Sequence, residues 1–349
     1  MTDATDITSE VPGEFPADVV TLGNMILGAA RLQVLHAVAA LHIADHLADG
    51  ALTAEDVARR EGSEPRATFR LMRAAASLGV LSYEGGRRFG LTGMGQMLRD
   101  GVPGSLRALT LVQAGHAQWQ SWGLFPDSVR RGTSQVKRAL GADLFDYYAR
   151  PENAGEAALF AASMADISAL TVQGAVAALD VSGVSTVVDV GGADGPFVLE
   201  LMAARPGLRG QVLDLPHAVG RAREEAGRRG LSGRFSAVAG DFFDAVPGAD
   251  LYLLKMVLHD WDDDRAMAIL RNCRSAATDG GRVLVVEAVI GEIGQPDVAV
   301  LSDMTMLSVA TGKERDLAEF DALFAASGWH RAKTFPVGGG YYGLELSAA

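Results

Sequence analysis

A single cysteine, Cys273, stands among 349 residues, which excludes an intramolecular disulfide and a zinc site built from several thiolates. Positive charge is also short: 31 Lys and Arg face 43 Asp and Glu, a net charge of −12. That balance argues against a protein whose main work is to coat nucleic acid or an anionic membrane. Met1 to Pro16 contains Asp3, Asp6, Glu10 and Glu14 and no positive residue. A secretory signal needs a basic start and an apolar stretch, so this segment reads as a solvated tail and the protein as cytoplasmic. The most apolar early run, Val19 to Ala30, is too short for a bilayer and meets Arg31.

What remains is a globular composition, 48% hydrophobic, with chain enough for about two domains at roughly 150 residues each. The first half reads as helical. From Val19 to Leu47 apolar residues fall on almost every face, so a helix there must be covered on several sides, by its own domain or by another subunit. Thr53 to Asp56 resembles a capping box opening a short helix that runs to Arg60. Pro65 opens the next helix, which stops at Gly79. Val80–Tyr83 and Arg88–Leu91 flank Gly85-Gly86 and read as a hairpin.

Helix, turn, helix, hairpin is a winged-helix arrangement. Arg66, Arg70 and Arg73 on its second helix raise a DNA-binding reading. The acidic chain and the lack of a flanking basic arm weigh against it, and the three arginines fit an ordinary solvated face. Residues 105–175 read as further helices, with Trp119, Trp122, Phe125, Phe145, Tyr147, Tyr148, Phe160 and Met164. At that spacing such residues are usually core, and a pocket for a flat apolar ligand uses the same types.

The second half changes period. Thr186–Val190, Gln211–Leu215, Phe235–Val238, Leu251–Leu254 and Val283–Val286 read as strands. Helical stretches near Glu200, Arg223, Ala268 and Phe320 alternate with them, which implies an α/β fold with a parallel sheet wrapped by helices. Thr334-Phe335, a turn at Gly338–Gly340 and Tyr342–Leu346 read as a closing hairpin.

The first of these strands carries Asp189 and runs into Gly191-Gly192-Ala193-Asp194-Gly195 and a helix. Such a turn lets a ligand approach the backbone and meet free N–H groups. A dinucleotide fingerprint fails at Ala193 and Pro196, which disfavours a nicotinamide oxidoreductase, and the Lys-Ser/Thr of a P-loop is missing. A nucleoside without a pyrophosphate, such as S-adenosylmethionine, remains. Asp214 ends the second strand, placed to accept from two ribose hydroxyls. Asp241, after Gly240, is placed to accept from an adenine amino group, with Phe242 over the ring. Three acids at successive strand ends fit a ligand crevice better than three unrelated turns.

The fourth strand leads into Lys255 and His259, and the fifth delivers Glu287 to the same rim. Gly312-Lys313-Glu314-Arg315 supplies another acid. A carboxylate beside an imidazole fixes its tautomer and stabilises the imidazolium. Asp262, Asp263 and Asp264 read as the opening of the next helix rather than a metal site, and no metal is expected.

These motifs together resemble the S-adenosylmethionine-dependent O-methyltransferases that include plant caffeate-type enzymes and bacterial enzymes tailoring aromatic polyketides. The resemblance rests on Val-Asp-Val-Gly-Gly up to Gly192, Asp214-Leu215-Pro216, Gly240-Asp241-Phe242, Leu-His-Asp-Trp up to Trp261, and Gly-Lys-Glu-Arg up to Arg315, in order and spacing. It implies a tail over 1–16, a winged-helix dimerisation domain over 17–105 and connecting helices contributing to a substrate pocket over 106–175. A Rossmann-like class I methyltransferase domain over 176–349 would follow. It implies a homodimer, formed through the N-terminal domain, that acts on a small aromatic molecule and uses neither nucleic acid nor membrane.

By resemblance His259 is the general base, flanked by Glu287 and Glu314. Asp189, Gly191, Gly192, Gly195, Asp214, Leu215, Gly240, Asp241, Phe242 and Lys255 belong to the cofactor site. Trp122, Phe160, Met164, Met256, Asp260, Asp303 and Met304 belong to the acceptor pocket. Ala193 departs from the family, which has a third glycine there, and a modest shift in cofactor affinity is expected. Methylation of nitrogen or carbon, a non-methylating relative, and a ligand-sensing DNA-binding regulator are the competing readings.

Overall fold

The computed structural model describes residues 15–216 and 219–349; the expected tail up to residue 14 lies outside the described residues. The chain divides into two compact units between Ala114 and Gly115. The first contains helices α1 (Ala17–Ile26), α2 (Gly28–Ala40), α3 (Ile43–His46), α4 (Ala54–Glu61), α5 (Pro65–Ser77), α6 (Gly93–Gln96) and α7 (Arg107–Gln113). Strands β1 (Leu52–Thr53), β2 (Leu81–Tyr83) and β3 (Arg88–Leu91) form a small antiparallel sheet in the order β1-β3-β2.

The hairpin and both helix starts stand where the sequence puts them. Pro65 occupies the first turn of α5, and the Glu64 side chain accepts from the Ala67 N–H. Thr53 caps α4 by accepting from the Asp56 N–H at 3.1 Å, but the Asp56 carboxylate takes the Thr53 hydroxyl, so the box is half made. The one long apolar helix expected from Val19 to Leu47 is instead three. α1 and α2 differ in direction by 42°, and His42, at φ 44°, separates α3. Val38, Ile43 and Ala44 are buried in one cluster with Met72 and Phe89. Among the described residues none of α1 is buried: Val19, Leu22, Met25 and Ile26 are all at least half exposed.

The second unit begins with α8 (His116–Trp122), α9 (Phe125–Arg131), α10 (Val136–Leu140), α11 (Leu144–Tyr148) and the long α12 (Ala154–Ala178). The expected connecting block is thereby divided: α7 lies in the first unit, α8 to α12 in the second. Of the aromatics that fit either a core or a pocket, Tyr147 is buried as core, whereas Trp119 and Phe145 are exposed. α12 is long and apolar enough by length and composition to cross a bilayer. Its Val172, Ala175 and Val176 instead join the buried cluster beneath the sheet.

Then follow β4 (Thr186–Val190), α13 (Pro196–Ala204), β5 (Arg209–Asp214), α14 (Gly220–Arg228), β6 (Phe235–Ala239) and β7 (Ala249–Lys255). α15 (Asp263–Ala276), β8 (Ala277–Ile290), α16 (Val298–Val309), β9 (Arg315–Asp316), α17 (Leu317–Ala326), β10 (Trp329–Gly338) and β11 (Tyr341–Ala348) complete the chain. The sheet order is β10-β11-β8-β7-β4-β5-β6, with β9 beside β8. The strands expected from sequence pair in parallel. The closing hairpin joins the same sheet antiparallel to β8, so the sheet is mixed.

Side chains alternate across the sheet. Val187 packs with α12 and α13 on one face, and Val188 and Val190 pack with α15 and α17 on the other. Both faces are covered, which is why these strands read as β-branched runs. β4 and β7 are adjacent although distant in the chain, and strand order reverses between them. A ligand crevice opens at such a switch point, at the carboxyl ends of the strands.

Candidate active site

The glycine-rich turn lies at that switch point. Gly191 and Gly195 take φ of 71° and 73°, a left-handed conformation that costs glycine little. A Cβ on Gly191 would crowd Val257 at 3.0 Å and touch Phe242 at 3.5 Å. One on Gly192 would collide with the Asp189 carboxyl group. The turn is therefore thinned on both sides, leaving backbone facing the crevice. Asp189 lies buried beneath it and accepts from the Val198 N–H of α13 at 3.2 Å. Burial pushes its carboxyl up to about 7, against the pull of that hydrogen bond and of Lys255.

Asp214 sits at the tip of β5. It accepts from the Ala193 N–H at 2.8 Å and from the Leu215 N–H at 2.7 Å. Asp241 accepts from the Phe243 N–H at 2.8 Å and is exposed. A carboxylate has about four lone-pair sites, so both acids keep acceptor capacity for a ligand. Leu215 is 44% exposed at the same rim. Phe242 packs edge-on against Phe243 and Trp261, and Asn272 holds the turn by donating to the Phe242 and Phe243 carbonyls. Gly240 follows β6 directly, its N–H donating to the Asp214 carbonyl at 3.0 Å. The Lys255 ammonium donates to the Ser168 hydroxyl of α12 at 2.7 Å; burial lowers its pKa, opposed by Asp189 and Glu287.

Ala193 takes φ of 50°. The departure from glycine is therefore more than an added methyl: an L-residue in the left-handed region costs about 1 kcal/mol.

After β7 the chain turns sharply at Met256, φ 54°, and a short 3₁₀ turn over Leu258–Asp260 presents His259. The imidazole is 6% exposed. Its Nδ1 lies 3.0 Å from Glu314 Oε1 and 3.5 Å from Glu287 Oε2; Nε2 lies 3.6 Å from Asp260 Oδ1. Donation from Nδ1–H to Glu314 leaves the lone pair on Nε2. Glu287 is held by the Val257 and Leu258 N–H groups, both on Oε1 at 3.0 and 2.9 Å. Burial alone would drive the imidazolium to lose its proton. Glu287, Asp260 and Glu314 together outweigh it and push the His259 pKa up to about 10. Glu287 itself is pushed up by burial, against the attraction of His259.

The segment carrying Glu314 is pinned from three sides. A Cβ on Gly312 would collide with the backbone of His259 and Trp261. Arg315 is wholly buried: it donates to the Leu258 and Trp261 carbonyls at 3.0 and 2.9 Å and pairs with Asp263 at 2.8 Å. Asp303 of α16 accepts from the Glu314 N–H at 3.0 Å. Sequence reading quoted Gly312 and Arg315 only as part of a motif. An arginine between Lys313, Glu314 and Asp316 reads as solvated and gives no sign that it will be buried against carbonyls. Ser168 and Ser302 were missed altogether. Asp262 caps α15 by accepting from the Arg265 N–H, and Asp263 holds Arg315, so two of the three clustered aspartates have structural partners.

Of the expected acceptor-pocket residues, the structure brings Asp260 and Asp303 into the His259 cluster and sets Met256 beside Lys255, its sulfur 3.8 Å from the ammonium. Phe160, Met164 and Ser168 recur every four residues on α12, so they share one stripe. Phe160 stacks on Tyr148 at 5.0 Å, and Trp122 packs against Phe125 at 4.8 Å. α8 and α9 pack against α16, which carries Met304. No direct contact links Trp122, Phe160 or Met164 to His259 among the described contacts.

The chain matches the O-methyltransferase domain over residues 122–330 and the O-methyltransferase dimerisation domain over residues 24–100. It belongs to the O-methyltransferase family. Phenazine O-methyltransferase of Lysobacter antibioticus is 33% identical over 94% of this chain and 95% of its own. An O-methyltransferase of Streptomyces lavendulae is 38% identical over 90% and 96%. A neocarzinostatin-biosynthesis O-methyltransferase, solved with S-adenosylmethionine and 2-hydroxy-5-methyl naphthoic acid, superimposes with a TM-score of 0.80 at 33% identity, covering 92% of this chain and 96% of that one. The methyltransferase described here is thus an S-adenosylmethionine-dependent enzyme with the class I fold. The thinned turn and the acids at successive strand tips fit that cofactor.

Proposed function

We propose that this methyltransferase methylates a phenolic hydroxyl of an aromatic, polyketide-like small molecule, with His259 as general base. The observation that carries the reading is the buried imidazole held through Nδ1 by Glu314, which makes Nε2 the acceptor when the ring is neutral. When bound, S-adenosylmethionine supplies a methyl group on a positively charged sulfur. Gly191, Gly192, Gly195 and Gly240 would admit it to the backbone. Asp214 would accept from the ribose hydroxyls and Asp241 from the adenine amino group; Phe242 and Leu215 would cover the ring, and Lys255 would line the near end. Asp189 would support the turn from below.

His259 takes the acceptor's proton on Nε2 while Glu314 holds Nδ1–H. In water a phenol of pKa ~10 does not give its proton to an imidazole of pKa ~6.5. With His259 pushed up to about 10 the transfer is nearly level. Glu287 and Asp260 favour the resulting imidazolium. Trp122, Phe160, Met164, Met256, Asp303 and Met304 would hold the flat acceptor. The relatives include a riboflavin-analogue N,N-dimethyltransferase, so the oxygen acceptor rests on this base, since a neutral aromatic amine already carries the lone pair that attacks and needs no base to free it.

Replacing His259 by Ala is expected to cut kcat by about 10²–10⁴-fold and to leave S-adenosylhomocysteine binding intact. Unchanged turnover would exclude His259 as the base. The raised pKa sets the sign of the pH dependence. The protonated imidazole is inactive as a base, so kcat/KM should climb with pH through an apparent pKa above that of a free imidazole. Glu314→Gln removes one of the acids that raise it, and should move the limb to lower pH while lowering the plateau. A profile flat from pH 6 to 9 would count against the assignment.

The exposed apolar side of α1 supports a homodimer formed through the N-terminal unit, since an uncovered stripe of Val19, Leu22, Met25 and Ile26 is a costly surface for a monomer.

A further inference from the structure

Glu314 and Glu287 differ in what shares their charge. Glu287 Oε1 accepts from two backbone N–H groups, whereas its Oε2, which faces His259, makes no hydrogen bond and is buried. Glu314 is the reverse: Oε1, the oxygen that holds His259 Nδ1, also accepts from the Ser302 hydroxyl at 2.7 Å, and Oε2 is buried without a partner. Ser302 precedes Asp303 on α16, so adjacent side chains grip residue 314 twice, one by its carboxylate and one by its backbone N–H.

The direction of that hydroxyl is not the helical default. A helical Ser or Thr usually turns its hydroxyl back to the carbonyl four residues earlier. Thr305 of the same helix does so, donating to the Leu301 carbonyl at 3.2 Å. Ser302 is turned to Glu314 instead.

We propose that Ser302 is a positioning residue that sets the proton affinity of the base. Its hydroxyl draws on the Glu314 oxygen that faces His259 and thereby keeps the imidazole readier to be neutral. The inference rests on His259 being the base. Physically, a hydroxyl hydrogen on a carboxylate offsets part of its negative charge, so less is left to stabilise a neighbouring imidazolium. The surrounding charges act in both senses. Glu287 of β8 and Asp260 draw the proton onto His259, and Tyr341 of β11 faces both glutamates. Asp303 lies beside Glu314 with Lys313 and Glu319 beyond it; Lys255 of β7 faces Glu287, and Arg315 underlies the turn. Removing one neutral hydroxyl from α16 leaves all of these in place.

The test uses Ser302→Ala and Ser302→Thr in the full-length enzyme. The His259 pKa is read by NMR of labelled histidine, and kcat/KM is measured from about pH 6 to 11.5, so that the plateau above the limb is reached. Ser302→Ala should raise the His259 pKa and move the acid limb upward by about 0.5–1 pH unit. It should therefore lose about 3–10-fold in kcat/KM near pH 7 and recover at alkaline pH, with KM for S-adenosylmethionine unchanged. Ser302→Thr keeps the hydroxyl and should keep the wild-type pKa. A kcat/KM loss that persists on the plateau above the limb, or an unmoved or lowered His259 pKa in Ser302→Ala, overturns the proposal. The two readings fail separately. A shifted NMR pKa with full turnover in His259→Ala would retain the Ser302–Glu314 coupling and remove the base. An unshifted pKa with turnover lost in His259→Ala would do the opposite.

Discussion

The two acid-bearing rims of the crevice are built on opposite plans. On the β5–β6 side, Asp241 is exposed and Asp214 half-buried; the Phe243 N–H orients the first carboxylate, and the Ala193 and Leu215 N–H groups orient the second. On the β7–β8 side, Glu287 and Glu314 are almost completely buried, and each has one oxygen with no hydrogen-bond partner. Open, pre-oriented carboxylates suit recognition of neutral donors: they exchange water for hydroxyl or amino groups at little desolvation cost. Buried, under-satisfied carboxylates are expensive, and a neighbouring imidazolium repays part of the expense. On the function proposed above, the first rim would serve binding and the second proton transfer.

That division predicts a clean crossing of effects. His259→Ala should strike kcat by the two to four powers of ten given above and spare cofactor affinity. Asp214→Ala should do the reverse. Losing hydrogen bonds to a charged acceptor is worth about 1.5–3 kcal/mol, so S-adenosylhomocysteine should bind about 10–100-fold more weakly by calorimetry, with kcat at saturating cofactor held within a few-fold. If Asp214→Ala lowered kcat as much as it raised Kd, the rims would not be separable and the comparison would fail. Part of the Asp214 effect would run through the turn itself, because the same carboxylate holds the Ala193 N–H.

A smaller effect sharpens the comparison from the buried side. Gly312→Ala places a methyl against the His259 and Trp261 backbone, where atoms have no flexible side chain to move. The strand-like anchor at Arg315 and the buried guanidinium resist a shift of the loop. Overpacking of this kind costs about 1–3 kcal/mol of stability. Glu314 should be displaced with the loop, so kcat/KM should fall by about tenfold and its acid limb should move to lower pH, as in Glu314→Gln. Wild-type kinetics in Gly312→Ala would show that Glu314 does not need this anchorage.

How much of this was legible in the sequence follows from what each residue's signal depends on. The strands from Thr186 to Val286 declare themselves because burial on both faces demands β-branched runs, and the turn at Gly191 because only glycine serves there. His259 and Glu287 could be drawn together because strand ends meet at one rim; Glu314 joined them through the family resemblance. Ser302 could not. A serine on an apolar helix has no pattern, and its partner lies across a loop fixed by Gly312 and Arg315, whose own contacts are tertiary. The bend between α1 and α2 was nearly hidden for a related reason: Leu27 lies in an apolar run, and Gly28, with no proline or charge, is the one residue that marks the break. Exposure of Trp119 and Phe145 was equally silent, since an aromatic residue has the same letter on a surface as in a core.

The smallest expected effect returns to the open rim. Ala193 is held at φ 50° by a turn that otherwise uses glycine, and its N–H is one of the two that orient Asp214. Ala193→Gly removes the left-handed penalty of the native state but adds freedom to the unfolded chain, and the two changes oppose each other at about 1 kcal/mol each. Net stability should therefore change by less than about 1 kcal/mol, read as the midpoint of denaturant unfolding. Binding has no such cancellation if cofactor tightens the turn around Asp214. An improvement of up to about fivefold in S-adenosylhomocysteine affinity, with kcat unchanged, would mean that the strain at Ala193 is released only when the turn is free to close. Unchanged affinity would place the whole cost in folding, and would mean that the recognition rim is already as well oriented with alanine as with the glycine it replaces.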